Sequence, residues 1–333
     1  MPTPNENLAP RLANIRLHPI KALDPVAVRE ARIGPNGGLE LDRAWALYSA
    51  DGRWVNGKRT AAMHLIRSVY SPELTSVTLT VPGDRRDIPP MTFAFPGDTE
   101  GAAEWFSMYF EQAIVVHYAR EGFPDDGLAP GPTIVSTPSL RAVCEWFPGL
   151  TLDEARRRFR STLEIDAGPT VAAVFRPRDL DANAAMPAPR HYGAQRLTDK
   201  TPERTSGQTP HLPAQAGSEE GGYSNGETTQ DLPAFWEDQL FAASDTNVVR
   251  FKIGEIAFEG SNPCARCPVP SRDSRTGEVL TGFQTRFAEL RRNHLPPWAP
   301  ADRFDHYYRL ATNTRVPSTE HGKLLRVGDV LSL

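Results

Sequence analysis

Short runs of alternating apolar and polar side chains fill the first hundred residues. Residues 11–17 and 26–33 alternate and predict strands, and Pro35-Asn36-Gly37-Gly38 predicts a turn after the second. Residues 43–48 predict a third strand, Asp51-Gly52 a hairpin turn, and Arg53-Trp54-Val55 the return. Residues 65–70 and 76–81 continue the same period. Many short strands joined by tight turns predict a small β-barrel or curled sheet.

From Thr99 the period lengthens. Residues 101–112 predict a helix with Trp105, Phe106, Tyr109 and Phe110 mostly on one stripe, and residues 113–118 a strand. Ile134-Val135 runs into Ser136-Thr137-Pro138, where Ser136 or Thr137 can cap a helix ending near Phe147. Residues 152–158 predict a short helix and 159–165 a strand. Residues 232–241 and 283–293 predict helices, 248–258 and 307–312 strands, and 324–333 a closing β pair around Val327-Gly328-Asp329. Between them, residues 176–229 are rich in Pro, Gly, Ser, Thr and Gln. That composition buries too little apolar surface to offset ordering entropy, so the segment is expected to be an irregular insertion within a domain. The expectation is a mixed α+β, β-rich chain with parts at 11–98 and 99–333.

Composition narrows the function classes. The 333 residues carry a formal charge of −4 with a pI near 6.1, which argues against general nucleic-acid binding. The 39% hydrophobic fraction and 31 prolines predict long loops. Three cysteines make no disulfide framework, so a reducing compartment is expected. No apolar run is long enough to span a bilayer, and residues 1–10 have no targeting pattern. The chain reads as soluble and cytoplasmic, without a membrane partner.

The densest chemistry lies in residues 262–273, Asn-Pro-Cys-Ala-Arg-Cys-Pro-Val-Pro-Ser-Arg-Asp. The prolines predict a stiff loop. Pro268 and Pro270 weigh against a redox dithiol opening a helix, and no second Cys or His pair stands at zinc spacing. Two readings stay open: a pair of buried structural cysteines, or one thiolate on a soft metal centre with the other supporting the loop. Arg266 would favour the charged form of a neighbouring thiol, or brace the loop. Lys21, Arg43, Lys58 and Arg160 stand at predicted strand ends, either as a solvated basic face or as a convergent anion pocket. Ser136 and Thr137 offer hydroxyls and free N–H groups to the same kind of anion.

In their order, these pieces resemble the MOSC superfamily, whose domain also closes the molybdenum cofactor sulfurases. More closely, the chain is similar to two-part proteins typified by the mitochondrial amidoxime reducing component and its bacterial relatives. Ile15-Arg-Leu-His-Pro-Ile-Lys21 and Gly38-Leu-Glu-Leu-Asp-Arg-Ala-Trp45 resemble that family's N-terminal β-barrel. Ser136-Thr-Pro-Ser-Leu140, Phe159-Arg-Ser-Thr-Leu163, Asn262-Pro-Cys-Ala-Arg-Cys-Pro268, Thr276-Gly277 and Arg326-Val-Gly-Asp329 resemble the MOSC domain proper. The resemblance implies a small β-barrel packed on a MOSC β-barrel with peripheral helices.

It also implies a cofactor, molybdopterin with molybdenum (Mo), whose metal is held by the second cysteine, here Cys267. Lys21, Arg43, Arg160, Thr162, Ser136 and Thr137 match the family's cofactor-binding positions. Pyridoxal phosphate binding attaches only as a superfamily-level label. The implied activity is reduction of N-hydroxylated small molecules, such as amidoximes and hydroxylamines, with electrons from a separate protein. The alternative is a carrier that binds the cofactor or its sulfur without turnover. Two features depart from the pattern: Ala22 stands where a serine often follows the lysine, and the insertion at 176–229 is not typical.

Overall fold

The computed structural model describes residues 9–83, 88–167 and 232–333, so the expected insertion at 176–229 lies outside the described residues. The first half supplies β1 (Pro10–Leu17), β2 (Val26–Val28), β3 (Glu30–Arg32), β4 (Trp45–Ser49), β5 (Trp54–Val55), β6 (Arg67–Tyr70), β7 (Ser76–Thr80), β8 (Met91–Ala94), α1 (Thr99–Phe110) and β9 (Ile114–Tyr118). The second half supplies β10 (Ile134–Ser136), α2 (Thr137–Trp146), α3 (Leu152–Phe159), β11 (Leu163–Ala167), β12 (Val249–Ile253), β13 (Ile256–Ala265), α4 (Phe283–Asn293), β14 (Arg309–Arg315), β15 (Leu324–Arg326) and β16 (Leu331–Ser332). Mixed α+β with a β-rich core is the observed class.

Two small antiparallel sheets, β5-β4-β9 and β6-β7-β8, share one core with α1. Alternation buries Val77 and Leu79 of β7 and Phe93 of β8. The α1 stripe buries Ala102, Trp105, Phe106 and Tyr109 against them. Asp98 caps that helix by accepting from Gly101 N at 2.9 Å, a contact worth about 1 kcal/mol. The helix stops at Glu111, which is left-handed. Residues 99–118 therefore pack with the strands that precede them.

The other core is an eight-stranded sheet in the order β16-β12-β13-β14-β10-β11-β1-β2. Its two ends meet. Arg11 bridges Val330, Leu12 N donates to Asp329 O at 2.9 Å, and Gly328 N donates to Leu12 O at 2.8 Å. Closure of this kind removes open edges and makes a barrel filled by Leu12, Ile15, Ile134, Leu163, Ile165, Phe251 and Phe258. Helices α2, α3 and α4 cover it through a second apolar cluster with Val143, Phe159, Phe283 and Phe287.

Several local expectations change. Residues 248–258 form a hairpin, β12 turning into β13 at Gly254, whose φ of +58° suits glycine. The run 26–33 splits into β2 and β3, which pair in different sheets. The segment at 232–241 makes only a 3-10 turn over Trp236–Leu240: its apolar spacing suits a helix, but Pro233 lacks an N–H and Phe235 is left-handed with a φ of 60°, so the helix does not run through. β15 and β16 pair with β3 and β12 respectively, not with each other. The first four residues of the cysteine loop, 262–265, belong to β13, bulged on either side of Asn262 and Pro263, where proline interrupts the ladder.

Candidate functional site

Between these cores lies a cleft of about 460 Å³, within the range of about 300–1,000 Å³ usual for small-molecule sites. Three of its cations come from separate chain segments. The turn after β1 presents Lys21, held by Lys21 N donating to Trp45 O at 2.8 Å. The approach to β4 presents Arg43, whose left-handed φ of 54° turns its side chain out of the strand path. The C-cap of α3 presents Arg160, also left-handed, with its N–H donating to Arg156 O. Arg160 thus ends a helix instead of opening a strand, and its Nη1 reaches Leu23 O at 2.7 Å.

Lys21, Arg43, Lys58, Arg160, Thr162, Arg266 and Cys267 all line the cleft, and so does Cys264. Burial lowers Lys21 against the opposing pull of Asp125. Burial also lowers Arg160, helped by Arg43, to about 10, so it remains a cation at neutral pH. For Arg43 the desolvation cost is outweighed by Asp42 and Asp125, and its pKa is raised. A buried cation cluster of this kind is a place where an anion is stabilised.

The cleft floor carries polar atoms that nothing in the described structure satisfies. Thr162 Oγ1 is buried without a partner and lines the cleft. Buried hydroxyls are normally paired, so an unpaired one on a cavity wall is an acceptor or donor for a ligand. Outside the cleft lining, His18 is fully buried, and neither ring nitrogen makes a hydrogen bond among the described residues. Burial first, then Arg160, Arg43 and Arg16, push its pKa well below the ordinary histidine value. His18 is therefore a neutral buried ring, with Nδ1 3.9 Å from Asp42 Oδ1.

The two cysteines differ. Arg266 Nη1 donates to Cys264 Sγ at 2.9 Å and to Leu310 O at 3.4 Å, and its guanidinium lies 5.7 Å over the Phe159 ring. Among the described residues Cys267 Sγ has no hydrogen-bond partner, and the thiols form no disulfide. Both are half-buried. Among the described residues no group of three or more His, Cys, Asp or Glu could hold a metal by itself. A metal at this loop would need most of its ligands from a bound organic group, and a soft sulfur is the protein donor on offer.

Ser136 and Thr137 are not part of the cleft. Ser136 is the N-cap of α2, accepting from Ser139 N, and both serine hydroxyls donate to Glu237 Oε2 at 2.7 Å. Thr137 Oγ1 donates to Glu164 Oε1 at 2.8 Å. All three side chains are buried among internal partners, which leaves them nothing for an anion. Their capping role was legible; the glutamates that absorb them were not, because those lie far away in sequence.

Sequence reasoning also missed three liners. Asp125 pairs with Lys21 Nζ at 3.0 Å and Arg43 Nε at 3.6 Å. Asn313 of β14 donates to Asp126 Oδ2 at 3.3 Å. His64 faces the cleft with Nε2 3.1 Å from Gly57 O, and burial lowers its pKa. The run Pro124-Asp125-Asp126-Gly127 carries only a turn signal, so no local pattern marks Asp125 as a site residue.

Residues 9–113 match the family model for the MOSC N-terminal beta barrel domain. No curated protein matches the chain. Among the described residues no helix is long and apolar enough to cross a membrane.

Proposed function

We propose that the chain, whose residues 9–113 match the MOSC N-terminal beta barrel domain, holds in its cleft the molybdenum cofactor to which MOSC domains are linked in general, and that the loaded protein reduces N-hydroxylated small molecules. The observation that carries this reading is the meeting of Cys267, whose sulfur makes no hydrogen bond among the described residues, with Lys21, Arg43, Lys58 and Arg160 on a single cleft. Cys267 would hold the metal. The four cations and the unpaired Thr162 hydroxyl would gather the anionic end of the pterin. Arg266 sorts with Cys264, so its role in this reading is to brace the loop rather than to touch the metal-bearing sulfur.

When bound, the group supplies two-electron removal of oxygen from nitrogen. The chain's own part is to bind and orient. The left-handed backbone at Arg43 and Arg160 fixes where their charges sit. Cys144, Cys264 and Cys267 are the only cysteines in the 333 residues, one short of a four-cysteine iron–sulfur site. Electrons therefore come from a separate protein in this reading.

Molybdenum and released pterin are to be measured on chain purified from a cofactor-replete host, followed by turnover of an amidoxime with an artificial reductant. Near-stoichiometric metal with turnover is expected. Metal without turnover would make the protein a cofactor-binding module, and absence of both would end the reading.

A further inference from the structure

We propose that a recess beside the cleft is a halide site, taking one chloride ion among Arg67, Arg157, Arg158, Arg160 and Arg272. The recess measures about 20 Å³, and its lining carries five guanidiniums but a single carboxylate, Asp24. Arg158 and Arg160 line both the recess and the cleft, whereas Arg67, Arg157 and Arg272 line the recess and not the cleft. The site therefore stands apart from the cofactor reading.

The ion pairs around the recess do not close its charge. Arg67 Nη1 pairs with Asp24 Oδ1 at 2.9 Å, and Arg157 reaches the same oxygen at 3.6 Å and Asp153 Oδ2 at 2.9 Å. Asp24 Oδ2 is taken up by Ser68 N at 3.1 Å. Arg158 pairs with Glu154 Oε1 at 2.5 Å and with Asp273 Oδ2 at 3.3 Å. Arg160 and Arg272 form no ion pair among the described residues. Their Nη1 atoms donate instead to the carbonyls of Leu23, at 2.7 Å, and Gly277, at 3.0 Å. Five guanidiniums thus meet four carboxylates, and one positive charge is left over. Burial lowers the pKa of Arg67 and, with Arg43 adding to it, that of Arg160, so water screens this surplus poorly.

A hydrogen-bond donor is left over as well. Arg272 Nε is buried with no acceptor among the described residues, and buried donors are normally paired. A water there would accept the bond but bring no charge; an anion does both. Size then selects the anion. One water-sized particle needs about 10–15 Å³, so a recess of about 20 Å³ admits a single chloride and not a five-atom phosphate or sulfate. Held there, the ion would fasten β6, through Arg67, to α3 and to the loop after β13.

The test is the chlorine-NMR linewidth of full-length chain in sodium chloride, with sodium gluconate holding ionic strength fixed and inorganic phosphate added to fill the cleft. The parent is expected to broaden the chloride line, and sodium bromide to reverse the broadening by competition. Arg272→Gln removes a charge from the recess without touching the cleft lining, and is expected to bind chloride at least about tenfold more weakly. Arg272→Lys keeps the charge and is expected to fall between the two. Equal broadening by the parent and a folded Arg272→Gln would overturn the proposal, and so would a parent that leaves the line sharp. If Arg272→Gln does not fold, anomalous scattering from bromide-soaked crystals of the parent decides: a bromide peak in the recess supports the site, and a water or no peak overturns it.

Discussion

Arg266 is hydrogen-bonded to the sulfur of Cys264 at 2.9 Å, and the sulfur of Cys267, three residues further on, is left without such a bond among the described residues. A two-residue spacing lets the guanidinium turn back over the end of β13 and tie that strand to Leu310 O of β14. The motif thus splits into a brace and an open donor. Cys267→Ser is expected to lose bound molybdenum almost completely with unchanged thermal stability. Cys264→Ser is expected to keep most of the metal and lose about 1 kcal/mol of stability, the scale of one hydrogen bond. Metal analysis beside chemical unfolding separates the two, and equal metal loss in both would contradict the division.

Arg160 joins the two cores as well as facing the cleft, since its Nη1 donates to Leu23 O at 2.7 Å. Arg160→Lys keeps the charge but loses the fork that serves both partners. Its affinity for inorganic phosphate, read by calorimetry, is expected to fall about tenfold, which is about 1.4 kcal/mol. A wild-type affinity in Arg160→Lys would remove Arg160 from the anion site.

How much of this was legible follows from the range of each signal. Period-two and helical patterns are local, so β1, β4, α1, α2 and α4 stood out in the sequence. Pairing is not local, and nothing near Leu324 announces that β15 lies beside β3. The cations were visible as residues at predicted element ends, and the fold brings Lys21, Arg43 and Arg160 together. Asp125 was not, because its meaning comes from Lys21 and Arg43, each about eighty to a hundred residues earlier in the sequence, not from its neighbours. Ser136 and Thr137 were read as free hydroxyls because Glu237 and Glu164 become their neighbours only on folding.

Gly260 tests the join between β13 and the 3-10 turn over Trp236–Leu240. A Cβ placed there would lie 1.5 Å from Leu240 O, a backbone atom with no rotamer to give way. Gly260→Ala is therefore expected to cost about 3 kcal/mol or more, at or beyond the upper end for overpacking. Urea unfolding measures it. A loss below about 1 kcal/mol would mean that the turn does not seat on the strand.

Glu237 gives the fold a pH dependence whose sign can be worked out. The residue is fully buried, and its Oε2 accepts from Ser136 and Ser139 at 2.7 Å. Burial, with the neighbouring Asp238 charge added, pushes its pKa from 4.5 up to about 7, against the pull of the two serine bonds. Asp238 is itself raised by burial but paired with Arg291, so it does not share that relief with Glu237. Below about pH 4.5 folded and unfolded chains both hold the Glu237 proton, and the group is neutral to stability. Between pH 4.5 and 7 the unfolded chain releases it while the folded chain keeps it, so stability falls as pH rises. Above pH 7 both forms are ionised and the full penalty, on the order of 3 kcal/mol, is present. Glu237→Gln keeps an acceptor for the serines and removes the titration. Chemical unfolding at pH 5, 6, 7 and 8 is expected to show the variant gaining on the parent step by step up to about pH 7 and levelling off beyond. A difference that stays constant across that range would show that Glu237 is not the group that titrates.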